Sequence, residues 1–236
     1  MTSAPVLVVT GHYGVGKTNL AINLALDAAA HGRAVTLVDL DVVNPYFRSS
    51  DYRALLEGRG VRVIAPVLAG TNLDGPSLSG TIVPAIEQAQ RSGGGELALI
   101  DAGGDDAGAT ALGRFADAVD AAPYELLYVV NRSRNLTQSP EEAAAILREI
   151  EAKAHLRATA VANNTHLQGE TDVATIEQGI PFARKVASLA GLPLAFTTVP
   201  AGLAGQVADP EKFRHAPNEG EQTLYPVQVY VRTPWE

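Results

Sequence analysis

The 236 residues contain no cysteine. Disulfides, thiolate zinc sites, cysteine-ligated iron–sulfur clusters and cysteine nucleophiles are therefore excluded. A basic surface is missing too. The net charge is −8, and although Arg132 and Arg134 stand close together, two arginines do not make a nucleic-acid groove. An acidic chain lacks the positive face that displaces counterions along a nucleic acid, so no nucleic-acid partner is expected. No apolar run approaches the roughly 18 residues of a membrane span. The opening MTSAPVLVVTG lacks the basic start and long apolar stretch of a signal peptide. The expectation is a soluble, cytoplasmic protein with no membrane partner. His31, His155, His166 and His215 show no metal-ligand spacing and are read as surface or core residues.

What the chain does have is apolar material in short, regular portions. Hydrophobic residues make up 46% and charged residues 19%, enough for a sizeable core and with no sign of disorder. Runs rich in Val, Leu and Ile at 5–10, 34–39, 61–65, 96–101, 124–131, 159–162, 193–199 and 224–231 read as strands. Helical patterns fall at 17–31, 46–57, 81–91, 109–119, 140–153 and 171–190. Pro84 is placed near the start of the third, and Ser139-Pro140-Glu141-Glu142 forms a strong start for the fifth. Residues 68–80, with their Gly, Pro, Asn and Asp content, read as a loop, and 92–95 as a turn. Continuous apolar strands alternating with helices imply a mostly parallel α/β sheet of seven or eight strands covered on both faces. One domain over 1–236 is expected, with a core over 1–205 and a C-terminal extension over 206–236 that carries the final strand.

Ligands of such sheets bind beyond the carboxyl ends of the strands. Polar residues collect there, first as Gly11-His12-Tyr13-Gly14-Val15-Gly16-Lys17-Thr18, which fits G-x-x-x-x-G-K-[ST] between a strand and a helix. Such a loop wraps a diphosphate with successive backbone N–H groups, and its glycines permit the close approach. The following helix adds unpaired N–H groups and the positive end of its dipole. Lys17 reaches the β- and γ-phosphates, and the Thr18 hydroxyl ligates Mg²⁺. Gly11, Gly14, Val15, Gly16, Lys17, Thr18 and the adjoining Asn19 are the candidate phosphate contacts.

Acids end two further strands. Asp101, followed by Ala102-Gly103-Gly104, is the candidate that holds Mg²⁺, and the two glycines form a hinge able to sense the γ-phosphate. Asp41 is the candidate for orienting the attacking water or completing the Mg²⁺ shell, a place that Asp39 could also fill. Lys17, Asp41 and Asp101 are thus the catalytic set, and Thr18, Asp41 and Asp101 the metal set. Asp105 and Asp106 either cap the next helix or serve a substrate.

These residues resemble a known family. GHYGVGKTNLAINLALDAAAHGRAVTLVDLD, with the later D-x-G-G segment, is similar to the ParA/MinD class of P-loop ATPases, which includes the nitrogenase iron protein and the CobQ/CobB-type nucleotide-binding domain. The resemblance covers most of 1–202. DLDVVNPYFRS and DAGGDDAGA further resemble an ATP-binding subgroup with no established task. The class implies ATP and Mg²⁺ as ligands, slow hydrolysis, and a homodimer or partner protein that reads the nucleotide state. It implies a first switch at Asp41, a second at Asp101, and adenine near Asn163, Asn164 and Pro200. The two asparagines equally fit turn positions.

The chain departs from the class in three places. His12 stands where the class carries a second lysine that reaches nucleotide across the dimer, and Tyr13 replaces a usual glycine. A histidine is mostly neutral at pH 7 unless phosphate raises its pKa. Arg48, Arg132 and Arg134 are the possible substitutes, and the sequence singles out none. The missing cysteines exclude the dimer-bridging cluster of some relatives. The C-terminal LYPVQVYVRTPWE is strand-like and not a basic amphipathic helix.

Asn44, Pro45, Tyr46, Phe47 and Arg48 could form a partner surface that moves with the first switch, or pack a short helix. Residues 71–77 could line a substrate pocket or form an ordinary loop. Two functions remain: a nucleotide-driven switch, and an ATP-dependent synthetase or small-molecule kinase that uses 68–80, Asp105 and Asp106 for an acceptor. Intact Lys17, Thr18, Asp41 and Asp101 argue against a binding module without turnover.

Overall fold

The computed structural model describes residues 3–41, 48–65, 76–134, 139–207 and 223–231. Eight strands form one parallel sheet: β1 (Val6–Thr10), β2 (Ala34–Leu40), β3 (Val61–Ile64), β4 (Glu96–Ala102), β5 (Tyr124–Val130), β6 (Ala160–Asn163), β7 (Leu194–Pro200) and β8 (Leu224–Val227). Their order is β3-β2-β4-β1-β5-β6-β7-β8. The chain leaves β1 in one direction, then returns past it from β4 to β5. The carboxyl ends of β1, β4 and β5 therefore flank a topological switch point, where an open α/β sheet leaves a crevice.

The strands are apolar on both sides because both sides are covered. Val6 and Val8 of β1 enter one core with helices α3 (Pro76–Arg91), α4 (Asp106–Gly113), α5 (Ala116–Asp120), α6 (Pro140–Ala154) and α7 (Val173–Ala190). Leu7 and Val9 enter the other core with α1 (Lys17–Ala30) and α2 (Arg53–Glu57). This is strand alternation with two buried faces. The seven-or-eight-strand parallel sheet with helices on both faces is thus the observed fold. After β7 a 3₁₀ turn leads into α8 (Ala204–Val207).

Three local expectations need correction. Residues 76–80, expected in a loop, begin α3, so that Pro84 lies in its interior and not near its start. The buried stripe Ile82, Ala85, Ile86 and Ala89 holds that helix on the sheet despite the proline. The expected helix over 109–119 is two helices, broken near Phe115, whose side chain is buried in the core. There α4 presses against α6: a Cβ at Gly113 would lie 2.6 Å from the Lys153 carbonyl oxygen. The final strand ends at Val227, not Val231. Of the helix expected over 46–57, the described part is a 3₁₀ turn (Ser49–Tyr52) and α2. Residues 44–47 and 71–75, offered as partner and substrate surfaces, lie outside the described residues. Among the described residues, no helix is long and apolar enough to cross a membrane.

Candidate functional site

The glycine loop curls between β1 and α1 as the spacing requires. Gly16 has φ 86°, a left-handed conformation that side chains disfavour, and a Cβ there would lie 2.8 Å from His166 Nε2. Lys17 is buried, and its Nζ reaches back across the loop to the His12 carbonyl oxygen at 3.1 Å. Burial lowers the Lys17 pKa, while the charges of Asp101, Asp41 and Asp105 oppose that shift. Thr18 is buried beside it.

The acids meet the loop from neighbouring strands. Asp39 and Asp101 are register partners on β2 and β4. Both are fully buried. Asp39 Oδ1 accepts from the Asp41 N–H at 3.1 Å and Oδ2 from the Ser50 N–H at 3.0 Å, so Asp39 fixes the turn that carries Asp41. Asp101 is different: neither carboxylate oxygen has a hydrogen-bond partner among the described residues. The Ser49 hydroxyl is near enough to favour the ionised form without meeting it at hydrogen-bonding geometry. Burial first, then Asp39 and Asp41, push the Asp101 carboxyl up to about 7, against the pull of Lys17. Buried acceptors of this kind call for a cation or its bound water.

That requirement fits Mg²⁺. Among the described residues, no group of three His, Asp or Glu side chains forms a protein cage for a metal. Mg²⁺ does not need one, since it binds through one or two carboxylates, waters and the phosphates of its nucleotide. Thr18, Asp41 and Asp101 supply oxygen donors of the right chemistry at the right end of the sheet.

A cavity of about 410 Å³ opens over the loop. Of the residues singled out by sequence, Gly14, Gly16, Lys17, Thr18 and Asn19 line it from the loop side. Asp41, Asn164 and Pro200 line it from β2, β6 and β7. Gly11, Val15, Asn163 and Asp101 are not on its wall. Gly11 packs under the loop against the Val129 carbonyl, and Val15 is buried with its carbonyl bonded to Asn164 Nδ2 at 2.7 Å. Asn163 lies behind the wall. Its Nδ2 donates to Thr197 Oγ1 at 3.2 Å, and its Oδ1 accepts from the Thr165 N–H and hydroxyl. Asn164 also accepts from the Thr198 hydroxyl at 2.6 Å, so both asparagines brace the loop and strands. Asn19 lines the cavity but gives its amide to the backbone of residues 228–231. Asp105 caps α4, accepting from the Gly108 N–H at 2.7 Å.

Sequence reasoning missed several wall residues: His166, Thr171, Thr198, and the valines at 227, 229 and 231. Burial, with Arg134 nearby, holds His166 down at about 4, so it is neutral at pH 7. His12 is likewise lowered, by burial and then Lys17. Of the three arginines, only Arg134 is on the wall; its side chain lies over Gly14, and its buried Nε has no hydrogen-bond partner among the described residues. Arg132 points away to Gln178 at 2.9 Å, and Arg48 is buried at the start of the 3₁₀ turn. A preference of Arg134 for the cavity is not visible in the sequence, which places it beside Arg132 with nothing to separate them.

The model of the CobQ/CobB/MinD/ParA nucleotide binding domain matches residues 6–186. The chain belongs to that family. It is a nucleotide-binding P-loop protein, and the match spans the glycine loop and most of the sheet. Among curated proteins, none matches. Solved structures similar to it include the signal recognition particle receptor FtsY from Elizabethkingia anophelis in complex with GDP. That match has 19% identity and a TM-score of 0.56, and covers 84% of this chain and 58% of the other. The signal recognition particle 54 kDa protein from Aeropyrum pernix, also with GDP, gives 19% identity and a TM-score of 0.57 over 83% of this chain and 41% of the other. FtsY from Thermotoga maritima gives 21% and 0.55 over 82% and 61%. The chain thus spans less than two thirds of these neighbours, and the likeness is one of fold.

Proposed function

We propose that this protein is a Mg·ATP-binding ATPase that works as a nucleotide-dependent switch, as a homodimer or with a partner protein. The observation that carries this reading is the curled glycine loop, with Lys17 within electrostatic reach of buried Asp101, a carboxylate with both oxygens unpartnered among the described residues. A cation–triphosphate complex satisfies both needs at once: its phosphates take the loop N–H groups and Lys17, and its metal takes the carboxylate.

In this reading the loop amides and the α1 amino end hold the phosphates, Lys17 turns from the His12 carbonyl to the β- and γ-oxygens, and Asp41 orients the attacking water. Thr18, Asp41 and Asp101 would hold Mg²⁺, which when bound would supply charge neutralisation on the phosphoryl group. Gly103 and Gly104 sense the γ-phosphate, since a Cβ on Gly103 would lie 3.5 Å from Asp41 Oδ1 and one on Gly104 would overlap the Gly11 carbonyl. Arg134, from the same chain, takes over the positive charge that the class brings with its second lysine, because His12 is neutral.

The described base end of the cavity is consistent with the choice of ATP over GTP. A guanine edge presents two adjacent N–H donors that a carboxylate accepts together. Among the described wall residues the only acid is Asp41, at the phosphate end. A partner is supported by Tyr13 and Leu167, two of the four exposed large hydrophobic residues described, at the cavity mouth or beside His166. The synthetase reading has less behind it, because Asp105 is used as a helix cap.

Lys17→Ala tests the assignment. Phosphate release and ATP binding by calorimetry should fall by about a hundredfold or more, the scale of removing a charge aimed at the transferring group. Normal hydrolysis by that variant would place the chemistry elsewhere.

A further inference from the structure

After β8 the chain leaves the sheet but stays tied down, and its tether is a helix. The Gln228 N–H donates to Asn23 Oδ1 at 2.8 Å. The Gln228 carbonyl accepts from Asn23 Nδ2 at 2.9 Å and from Asn19 Nδ2 at 3.0 Å. Asn19 Oδ1 then accepts from the N–H groups of Tyr230 at 2.8 Å and Val231 at 3.2 Å. Two side-chain amides thus do for 228–231 what a neighbouring strand would do. Asn19 and Asn23 are four residues apart, so they share one face of α1. Asn19 is the first residue after Thr18, which places the tether directly beside the phosphate loop.

The consequence is on the other edge of the segment. In extended chain, alternate side chains share a side. Val227, Val229 and Val231 are the alternate set, and all three line the cavity over the phosphate loop. Val227 pairs in register with Pro200, which also lines it, so the apolar surface runs on from β7. Val229 is 49% exposed, a large hydrophobic residue facing open space in the site. The loop end of the cavity is charged and this end is not. A phosphate ester with a flat aromatic base has the same division.

We infer that the segment 227–231 is the base-side wall of the nucleotide site: Val227, Val229 and Val231 take the apolar face of the purine, and the Asn19–Asn23 tether ties that wall to the phosphate helix. This rests on the nucleotide-binding reading above and adds to it the element that holds the base. Base binding and docking of the C-terminal segment are then linked, since covering Val229 removes apolar surface from water only while the tether is made.

The test compares Mg·ATP with Mg·tripolyphosphate, which has the phosphates and no base. For Val229→Ser, a change at an exposed position, the Kd for ATP should rise about fivefold while that for tripolyphosphate stays within about twofold. Asn23→Ala should act in the same direction, with a melting curve to show that it folds. Unchanged ATP affinity in Val229→Ser overturns the inference. Equal weakening of both ligands also overturns it, because the segment would then act through the loop. If the wild-type protein bound neither ligand, the nucleotide reading itself would fall, and that is read before any variant is made.

Discussion

At Gly104 the β4 segment lies so close to the phosphate loop that a Cβ would overlap the Gly11 carbonyl and come within 3.1 Å of the His12 nitrogen. A Cβ at Gly108 would in turn run into the Gly103 backbone. None of these neighbours is the flexible tip of a side chain, so the backbone itself must move. Gly104→Ala should therefore lower stability by about 1–3 kcal/mol, as overpacking does, and weaken ATP binding through the displaced loop. Urea unfolding with and without Mg·ATP measures both. An unchanged midpoint with unchanged affinity would show that the loop and the β4 turn are not held together. At this scale the sequence was most informative where chemistry is packed into a short stretch. The loop, Asp41 and Asp101 could be named because a glycine-rich turn before a helix and acids at strand ends are local signals. His166 and Val229 could not, and Arg134 could not be told from Arg48 and Arg132, because each is a common residue whose meaning depends on which strand end lies beside it. Asn19 shows the limit of local reading: it follows Thr18, yet its amide binds backbone more than 200 residues away in the chain.

Helix α6 shows what an element needs to start where it does. The Ser139 hydroxyl accepts from the Glu142 N–H at 3.1 Å, the Glu142 carboxylate accepts from the Ser139 N–H at 3.1 Å, and Pro140 follows at the first turn. Ser139→Ala removes one half of this reciprocal cap, at a cost of about 1 kcal/mol. A thermal midpoint lower by about 2–4 °C is expected for a chain of this size, read by calorimetry. No shift would mean that packing against α4 and α7 alone sets the helix start. Elements of this kind were legible, with the strands, because their signals are local: a cap, or an unbroken apolar run. The start of α3 was not, because Gly, Pro and Ser around residue 76 read as a loop, while what holds the helix is the core it covers. The break between α4 and α5 was not legible either, since it comes at Phe115, whose side chain enters the core.

The whole molecule places its candidate site at one end of the sheet, and three of the four exposed large hydrophobic residues described, Tyr13, Leu167 and Val229, lie on or beside the same opening. Tyr13, at 55% exposure the most open of the four exposed large hydrophobic residues described, sits in the phosphate loop itself, and Leu167 follows the wall residue His166. A surface that covers them would cover the nucleotide as well, so its affinity would depend on which nucleotide is bound. With the positive charge of the site proposed to come from Arg134 in the same chain, the apolar rim would be the main attraction in a contact between copies. Sizing the 24.7 kDa chain by light scattering with ADP and with a non-hydrolysable ATP analogue should then give a monomer with the first and twice that mass with the second. Tyr13→Ser should weaken the analogue-bound dimer more than it weakens ATP binding by the monomer, because Tyr13 is 55% exposed at the mouth of the cavity. A mass that is the same with both nucleotides would remove self-association from the switch and leave a partner protein as the surface that reads it. A Tyr13→Ser dimer as tight as the wild type would move the interface away from the mouth of the site.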